Sequence, residues 1–261
     1  MGGRVEVERE GALGWLVFDH PERRNAISVE MWRAIPGAVR ALDEDPEVRV
    51  LVARGAGEAA FVSGADISEF ERLRTGADAA AAYEATTAEA FEALSACEKP
   101  LVAMVHGFCV GGGMAVALAA DLRYAADDAV FAIPAARLGL GYHASGVAAL
   151  VALVGPAAAK EIFFTARRYG AEEARELGLV NAVFAKGNLE AEVRVRAQGI
   201  AAGAPLTLRS VKRVIRELSL DPGQRDEAAV RGSIRACFDS EDYQEGVRAF
   251  LEKREPKFQG R

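Results

Sequence analysis

The chain has 261 residues, 51% of them hydrophobic and 27% charged, with a formal net charge of −6 at pH 7. This is the composition of an ordinary globular protein, long enough for one large domain or for a core with a helical appendage. It excludes the broad basic footprint of a nucleic-acid surface and leaves room only for a local cluster that could hold phosphates. Three cysteines, Cys97, Cys109 and Cys237, are odd in number, widely spaced and set among apolar or small residues. They fit neither a disulfide framework nor a zinc site, and a reducing cytoplasm is the expected location. The first residues, "MGGRVEVERE", contain no apolar core of a leader, and the apolar runs further on read as too short or too glycine-interrupted to cross a bilayer.

Taken in chain order, "VEVERE" and "LGWLVFD" are β-type runs meeting around Gly11, which predicts a hairpin. Ser28 is placed to cap a helix whose apolar positions Met31, Ile35, Val39 and Leu42 share one face, with a kink expected at Pro36. "EVRVLVARG" reads as a buried strand, "FVSGADISEF" as a loop entering a helix near Asp66, and "AAAAYEATTAEAFEALSAC" as a helix. "PLVAMVHG" is a second buried strand, followed by a helix from Gly111 to Asp121 and two short strands in "DLRYAADDAVFAIP". Beyond these the chain reads as mainly helical: "GVAALVALVG", "AAAKEIFFTA", "AEEARELG" ended by Gly178, one strand in "LVNAVF", then helices to the end. Strand and helix in turn imply crossover connections and an α/β core, with residues 1–200 as the core and 201–261 as a helical layer.

The stretch "GFCVGGGMAVALAAD" puts three glycines where a buried strand becomes an alanine-rich helix. A Walker-type phosphate loop fails for want of a lysine after the glycines, and the spacing of Gly107, Gly111, Gly112 and Gly113 does not make a dinucleotide fingerprint. Two readings stay open. The glycines either allow close helix packing, or they open an oxyanion hole in which N–H groups at a helix start stabilise charge developing on a carbonyl oxygen. "FVSGADI" favours the second, because it is another small-residue turn after a buried strand and offers a further N–H at Ala65.

"NAI" at Asn25, "FVSGADI", "KPLVAMVHGFCVGGG", "DLRYAADDAVFAIPAARLGL", "AKEIFFTARRYGAEEARELGLVNAVF" and "DYQEGVRAFLEKREPKF" fall in the order seen in the crotonase superfamily, the enoyl-CoA hydratase/isomerase family, which the chain resembles over nearly its whole length. The resemblance implies a ββα-spiral core, a C-terminal helical trimerisation region and a homo-oligomer, trimer or hexamer. It implies an acyl-CoA thioester substrate whose carbonyl oxygen lies between the N–H groups of Ala65 and Gly112, with Gly111 beside them. It sets Ser63, Ala65, Asp66 and Ile67 along the adenine end of CoA and runs the segment Arg23, Arg24 to Ala26 past pantetheine and phosphates. Lys253, in a tail that in the family can reach CoA phosphates, is a further candidate. No metal, redox cofactor, nucleic acid or membrane partner is implied.

Hydratases of the family use two glutamates to add water across a double bond. The matching positions here are Ala115 and Ala135. What this leaves is a hole able to serve any reaction that passes through a thioester enolate, and loss of CO₂ from a malonyl-type ester forms that enolate without a base. "LGLGYHASGV" sets Tyr142 and His143 beside the second missing acid, in a context similar to that of the family's methylmalonyl-CoA decarboxylases. That likeness departs at Ala115 and at Pro134. The alternatives are a hydratase or isomerase drawing on Asp66, Glu69 or Glu71, and an acyl-CoA binder without activity. Tyr142 and His143 also have plainer readings, as a packing residue and a solvated loop residue, as do Arg137, Arg167 and Arg168 as surface charges.

Overall fold

The computed structural model describes residues 2–69, 77–142 and 144–261. β1 (Arg4–Glu10) and β2 (Leu13–Asp19) form the expected antiparallel hairpin, with Gly11 at φ 57° in the turn. α1 (Val29–Glu44) starts at Ser28, whose hydroxyl accepts from the N–H of Met31 at 3.3 Å. It runs as one helix through Pro36 and buries Met31, Ile35, Val39 and Leu42, the stripe its spacing predicts, together with Trp32.

The chain then repeats one unit. β3 (Val50–Gly55) and β4 (Ala60–Val62) lead through a 3₁₀ turn, Ile67–Glu69, towards α2 (Ala77–Ala96). β5 (Leu101–Val105) and β6 (Phe108–Val110) lead into α3 (Gly112–Ala119). β7 (Leu122–Ala126) and β8 (Val130–Ala132) lead into the short α4 (Ala135–Leu138) and the long α5 (Ala144–Thr165). The first strand of each pair joins a six-stranded sheet, ordered β1-β2-β3-β5-β7-β10, and the second joins a four-stranded sheet, ordered β4-β6-β8-β9. β9 (Tyr169–Gly170), α6 (Ala171–Glu176) and β10 (Ala182–Phe184) complete both sheets. Each unit therefore advances one strand in each sheet, and the result is the expected ββα spiral. β4, β6 and β9 were not expected as strands, being only three, three and two residues long; β4 falls where "FVSGADISEF" reads as a loop.

All five residues of β5 are buried, because the large sheet is covered on both sides. One face packs against α1, α2 and α3 through Leu16, Leu51, Leu101 and Ala103, and the other against α7 (Leu189–Ala201) through Trp15, Val52, Val102 and Met104. Covering of that kind turns an alternating strand into a continuous apolar run.

Beyond α7 the packing changes. α8 (Pro205–Leu218), α9 (Glu227–Phe238) and α10 (Glu241–Glu252) form a layer held to the core by polar tethers. Arg49 donates to the carbonyls of Ala201 and Phe258, and Lys212 pairs with Asp121 at 2.8 Å; within the layer, buried Asp242 accepts from the N–H groups of Gln259 and Gly260. α5 is two helical runs, as the sequence predicts, meeting at a kink at Gly155, whose φ of 75° and ψ of 166° are not helical. By length and composition alone the 22 residues together are long and apolar enough to span a membrane, but the glycine interrupts them, and few are buried in this chain.

Candidate active site

Two turns carry the site, and the backbone of each is fixed from behind. Ile27 pairs with Ala65 in a parallel bridge: its N–H donates to the carbonyl of Gly64 at 2.8 Å, and its carbonyl accepts from Asp66 at 2.9 Å. In such a bridge the residue between the two bonded neighbours turns its own N–H away, so Ala65 presents its donor on the side opposite Ile27. Asn25 holds this arrangement in place. Buried and at φ 57°, it accepts from His20 N–H and donates to the carbonyls of Ala56 and Ala60 at 2.9 and 2.7 Å. The sequence offered Asn25 only as part of a motif, and its role as the knot joining three segments appears only in the fold.

At the second turn each glycine has its own reason. Gly111 has φ 53°, a left-handed conformation that glycine adopts without strain. A β-carbon on Gly113 would stand 2.1 Å from the carbonyl oxygen of Val62, so α3 can lie this close to β4 only without a side chain there. One on Gly112 would stand 3.0 Å from Cζ2 of Trp32 and 3.4 Å from the nitrogen of Ala65. The Gly112 nitrogen lies roughly 2.5 Å from that point, so the two nitrogens are no more than about 6 Å apart, the span over which one oxygen accepts from both. Gly112 is the first residue of α3, where an N–H has no partner within the helix and the positive end of the helix dipole faces outward. No hydrogen bond engages the N–H of Ala65 or of Gly112 among the described residues. Gly113 thus serves close packing, while Gly112 leaves an open N–H beside that of Ala65, at a spacing from which one carbonyl oxygen could accept from both.

The other expected residues gather around this pair or stand off from it. The N–H of Gly111 is taken by the carbonyl of Ala132, and its own carbonyl accepts from Ala115 N–H at 3.1 Å and from the Tyr142 hydroxyl at 3.4 Å. A β-carbon on Gly111 would lie 3.9 Å from Cδ of Pro134, which brings the Ala135 turn alongside. Ala115 is half-buried and Ala135 buried, so the wall beside the hole carries methyl groups where the resemblance places carboxylates. The Tyr142 ring packs edge-on against Phe163 at 4.9 Å. Burial, with Cys109 nearby, pushes its phenol up to about 12, so it stays a neutral donor at physiological pH. His143 lies outside the described residues, as does Glu71.

On the side assigned to CoA, Ser63 donates its N–H to the carbonyl of Arg24 and its hydroxyl to the carbonyl of Arg23. Ala26 donates to the Arg23 carbonyl, and Ile67 is exposed. The Arg24 guanidinium lies 5.0 Å from the Phe108 ring centroid. Asp66 accepts from Arg23 at 2.9 Å and from the hydroxyl and N–H of Ser68 at 2.7 and 3.0 Å. Burial opposes its ionisation, but the Ser68 bonds and Arg23 outweigh this and hold the carboxyl below its usual range. Glu69 accepts from Val29 N–H at the start of α1. Both carboxylates are therefore committed to structural bonds. Lys253 ends α10 at φ 55°, on the C-terminal layer, with its side chain exposed. Among the described residues no group of three or more His, Cys, Asp or Glu could hold a metal ion.

Comparison with known proteins gives the family. The family model for enoyl-CoA hydratase/isomerase matches residues 8–261. Crotonyl-CoA hydratase of Syntrophomonas wolfei is 36% identical over 97% of both chains. The peroxisomal Delta(3,5)-Delta(2,4)-dienoyl-CoA isomerase of Arabidopsis thaliana is 35% identical over 97% of this chain and 95% of its own. Carnitinyl-CoA dehydratase of Salmonella enteritidis is 34% identical over the full length of both. Among solved structures, an enoyl-CoA hydratase/carnithine racemase from Magnetospirillum magneticum superposes with a TM-score of 0.94 at 37% identity, covering 98% of this chain and 96% of its own. None of these named relatives is a decarboxylase. The chain belongs to the enoyl-CoA hydratase/isomerase family of the crotonase superfamily.

Proposed function

We propose that this chain is an acyl-CoA lyase that stabilises a thioester enolate between the N–H groups of Ala65 and Gly112, and that the enolate forms by loss of CO₂ from a malonyl-type CoA ester. The observation that carries the reading is the pairing of an open two-donor hole with a wall of methyl groups. Ala115 and Ala135 hold no titratable group, and Asp66 and Glu69 are engaged elsewhere. A positioned acid or base contributes roughly 10² to 10⁴ in rate, so water addition of the two-carboxylate kind forfeits that factor for each missing group. Decarboxylation needs no such group. The C–C bond to the carboxylate breaks, its electron pair passes into the thioester as the enolate, CO₂ departs, and the α-carbon later takes a proton from water. The step is redox-neutral and draws on no metal or redox cofactor.

Tyr142 supplies the polar contact on the carboxylate side. A neutral phenol next to the Gly111 carbonyl can turn to donate to the substrate carboxylate and hold it across the thioester plane, where the breaking bond overlaps the carbonyl. The apolar surroundings favour the uncharged product over the carboxylate. The protein works as a homo-oligomer, a trimer or hexamer, which covers the apolar faces of α5 and α8–α10.

The test is CO₂ release from methylmalonyl- and ethylmalonyl-CoA. Tyr142→Phe should lower the release rate and leave the affinity for the decarboxylated product unchanged, since the contact is with a group the product lacks. No CO₂ from any malonyl-type ester would sink the reading. The second reading, a hydratase or isomerase using a different acid, is favoured by the named relatives, all of which act by hydration, dehydration or isomerisation.

A further inference from the structure

α3 carries the Gly112 donor at its N-terminus, and at its C-terminus it meets a buried positive charge. Arg123, in β7, is 4% exposed. Its guanidinium donates to the carbonyls of Ala117 and Ala120, the last turn and C-cap of α3, and to those of Leu179 at 2.8 Å and Asp121. Among the described residues it makes no salt bridge. The carboxylate nearest in sequence, Asp121, accepts instead from Leu101 N–H and from Lys212, each at the same side-chain oxygen.

Capping helix carbonyls needs only neutral donors, and taking an ion out of water is costly unless its charge is used. Here the charge lies at the C-terminal end of a very short helix. The eight residues of α3 span about 12 Å, so the negative pole at its C-terminus acts on the same oxygen that its N-terminus binds. A cation at the C-terminal carbonyls cancels that opposing pole and adds its own field.

We infer that Arg123 is a positioning residue that strengthens the oxyanion hole electrostatically through α3. The inference rests on the reading that a thioester oxygen lies between Ala65 and Gly112. At an effective dielectric near 20, a unit charge about 12 Å away changes the stability of an anion by about tenfold. The effect falls on the enolate and on the polarised carbonyl, and hardly at all on the rest of the acyl-CoA.

The test separates charge from packing. Arg123→Lys and Arg123→Gln both lose the guanidinium fork, but only the second loses the charge. Ala119→Asp, at a half-buried position in the last turn of α3, adds a negative charge at the same end of the helix while keeping Arg123 and the carbonyls it caps. Two quantities are read for each: the downward shift of the ¹³C=O infrared stretch of labelled butyryl-CoA on binding, and the affinity for a CoA nitronate, an anionic enolate mimic, relative to butyryl-CoA. Native protein and Arg123→Lys should show the full shift. In Arg123→Gln and Ala119→Asp the shift should shrink and the nitronate preference fall by about tenfold, with the two Arg123 variants equally stable to heat. If Arg123→Gln does not fold, Ala119→Asp carries the same expectation alone. Preferences and shifts equal to native in every folded variant would overturn the role of Arg123 and leave the hole intact. Failure of native protein to bind either CoA compound would instead overturn the acyl-CoA reading, and this inference with it.

Discussion

The two ends of the molecule use apolar residues in opposite ways. Around the glycine turn Trp32, Val62, Cys109 and Met114 are almost wholly buried, and the groups left open to a substrate are backbone N–H groups. In the C-terminal layer the reverse holds: ten of the sixteen large apolar side chains exposed among the described residues lie between Val211 and Leu251, and Phe250 is 84% exposed. Phe238, Tyr243 and Phe250 help to line a groove of about 610 Å³. Three aromatic side chains at half exposure or more offer several hundred Å² of apolar surface, as large as the biggest patch on most monomers. A pair of backbone donors needs a mount that cannot move, whereas the outer layer leaves an apolar face open in this chain.

Substitutions of glycine should expose this contrast most sharply. Gly113→Ala would push a methyl group to 2.1 Å from the Val62 carbonyl, backbone that cannot step aside, and should destabilise the protein by at least about 3 kcal/mol. Gly232→Ala, inside α9 with nothing within 4 Å, should stabilise the native state by up to about 1 kcal/mol. Denaturant midpoints of the two variants would read this directly, and equal effects would mean that the turn is no tighter than the tail. Next in size is Gly112→Pro. Proline is well tolerated at the first position of a helix, but its β-carbon would stand 3.0 Å from Cζ2 of Trp32, so the loss of one donor comes with crowding beside it and turnover should fall by at least roughly 10² to 10³. Phe238→Asp with Phe250→Asp should have a smaller effect on the chain itself, whose melting temperature should change little, while light scattering reports a monomer in place of a trimer or hexamer. A native protein that is already monomeric at micromolar concentration would remove the reason given for the apolar layer.

Most of the framework was legible because periodicity and caps are local signals. The Gly11 hairpin, the Ser28 cap and the buried runs in β3 and β5 each follow from residues close together in the chain. The hole was legible as two motifs, though not as a geometry, since the bridge from Ile27 to Ala65 spans 38 positions and no spacing encodes it. β4, β6 and β9 escaped because two or three residues carry no measurable alternation. Two supporting residues were missed for the same physical reason. Asn25 and Arg123 act through side-chain bonds to carbonyls brought near by the fold, and an arginine after "DL" looks like any surface charge until its burial is known.

The central claim is that the hole is intact while both carboxylates are gone, and hydration of crotonyl-CoA tests it most directly. Native protein should hydrate this substrate at least about 10² to 10⁴ times more slowly than a two-carboxylate hydratase, and Ala115→Glu with Ala135→Glu should raise the rate. Rapid hydration by the native protein, unchanged or lowered in the double variant, would contradict the account and place an acid in the site that Ala115 and Ala135 do not supply.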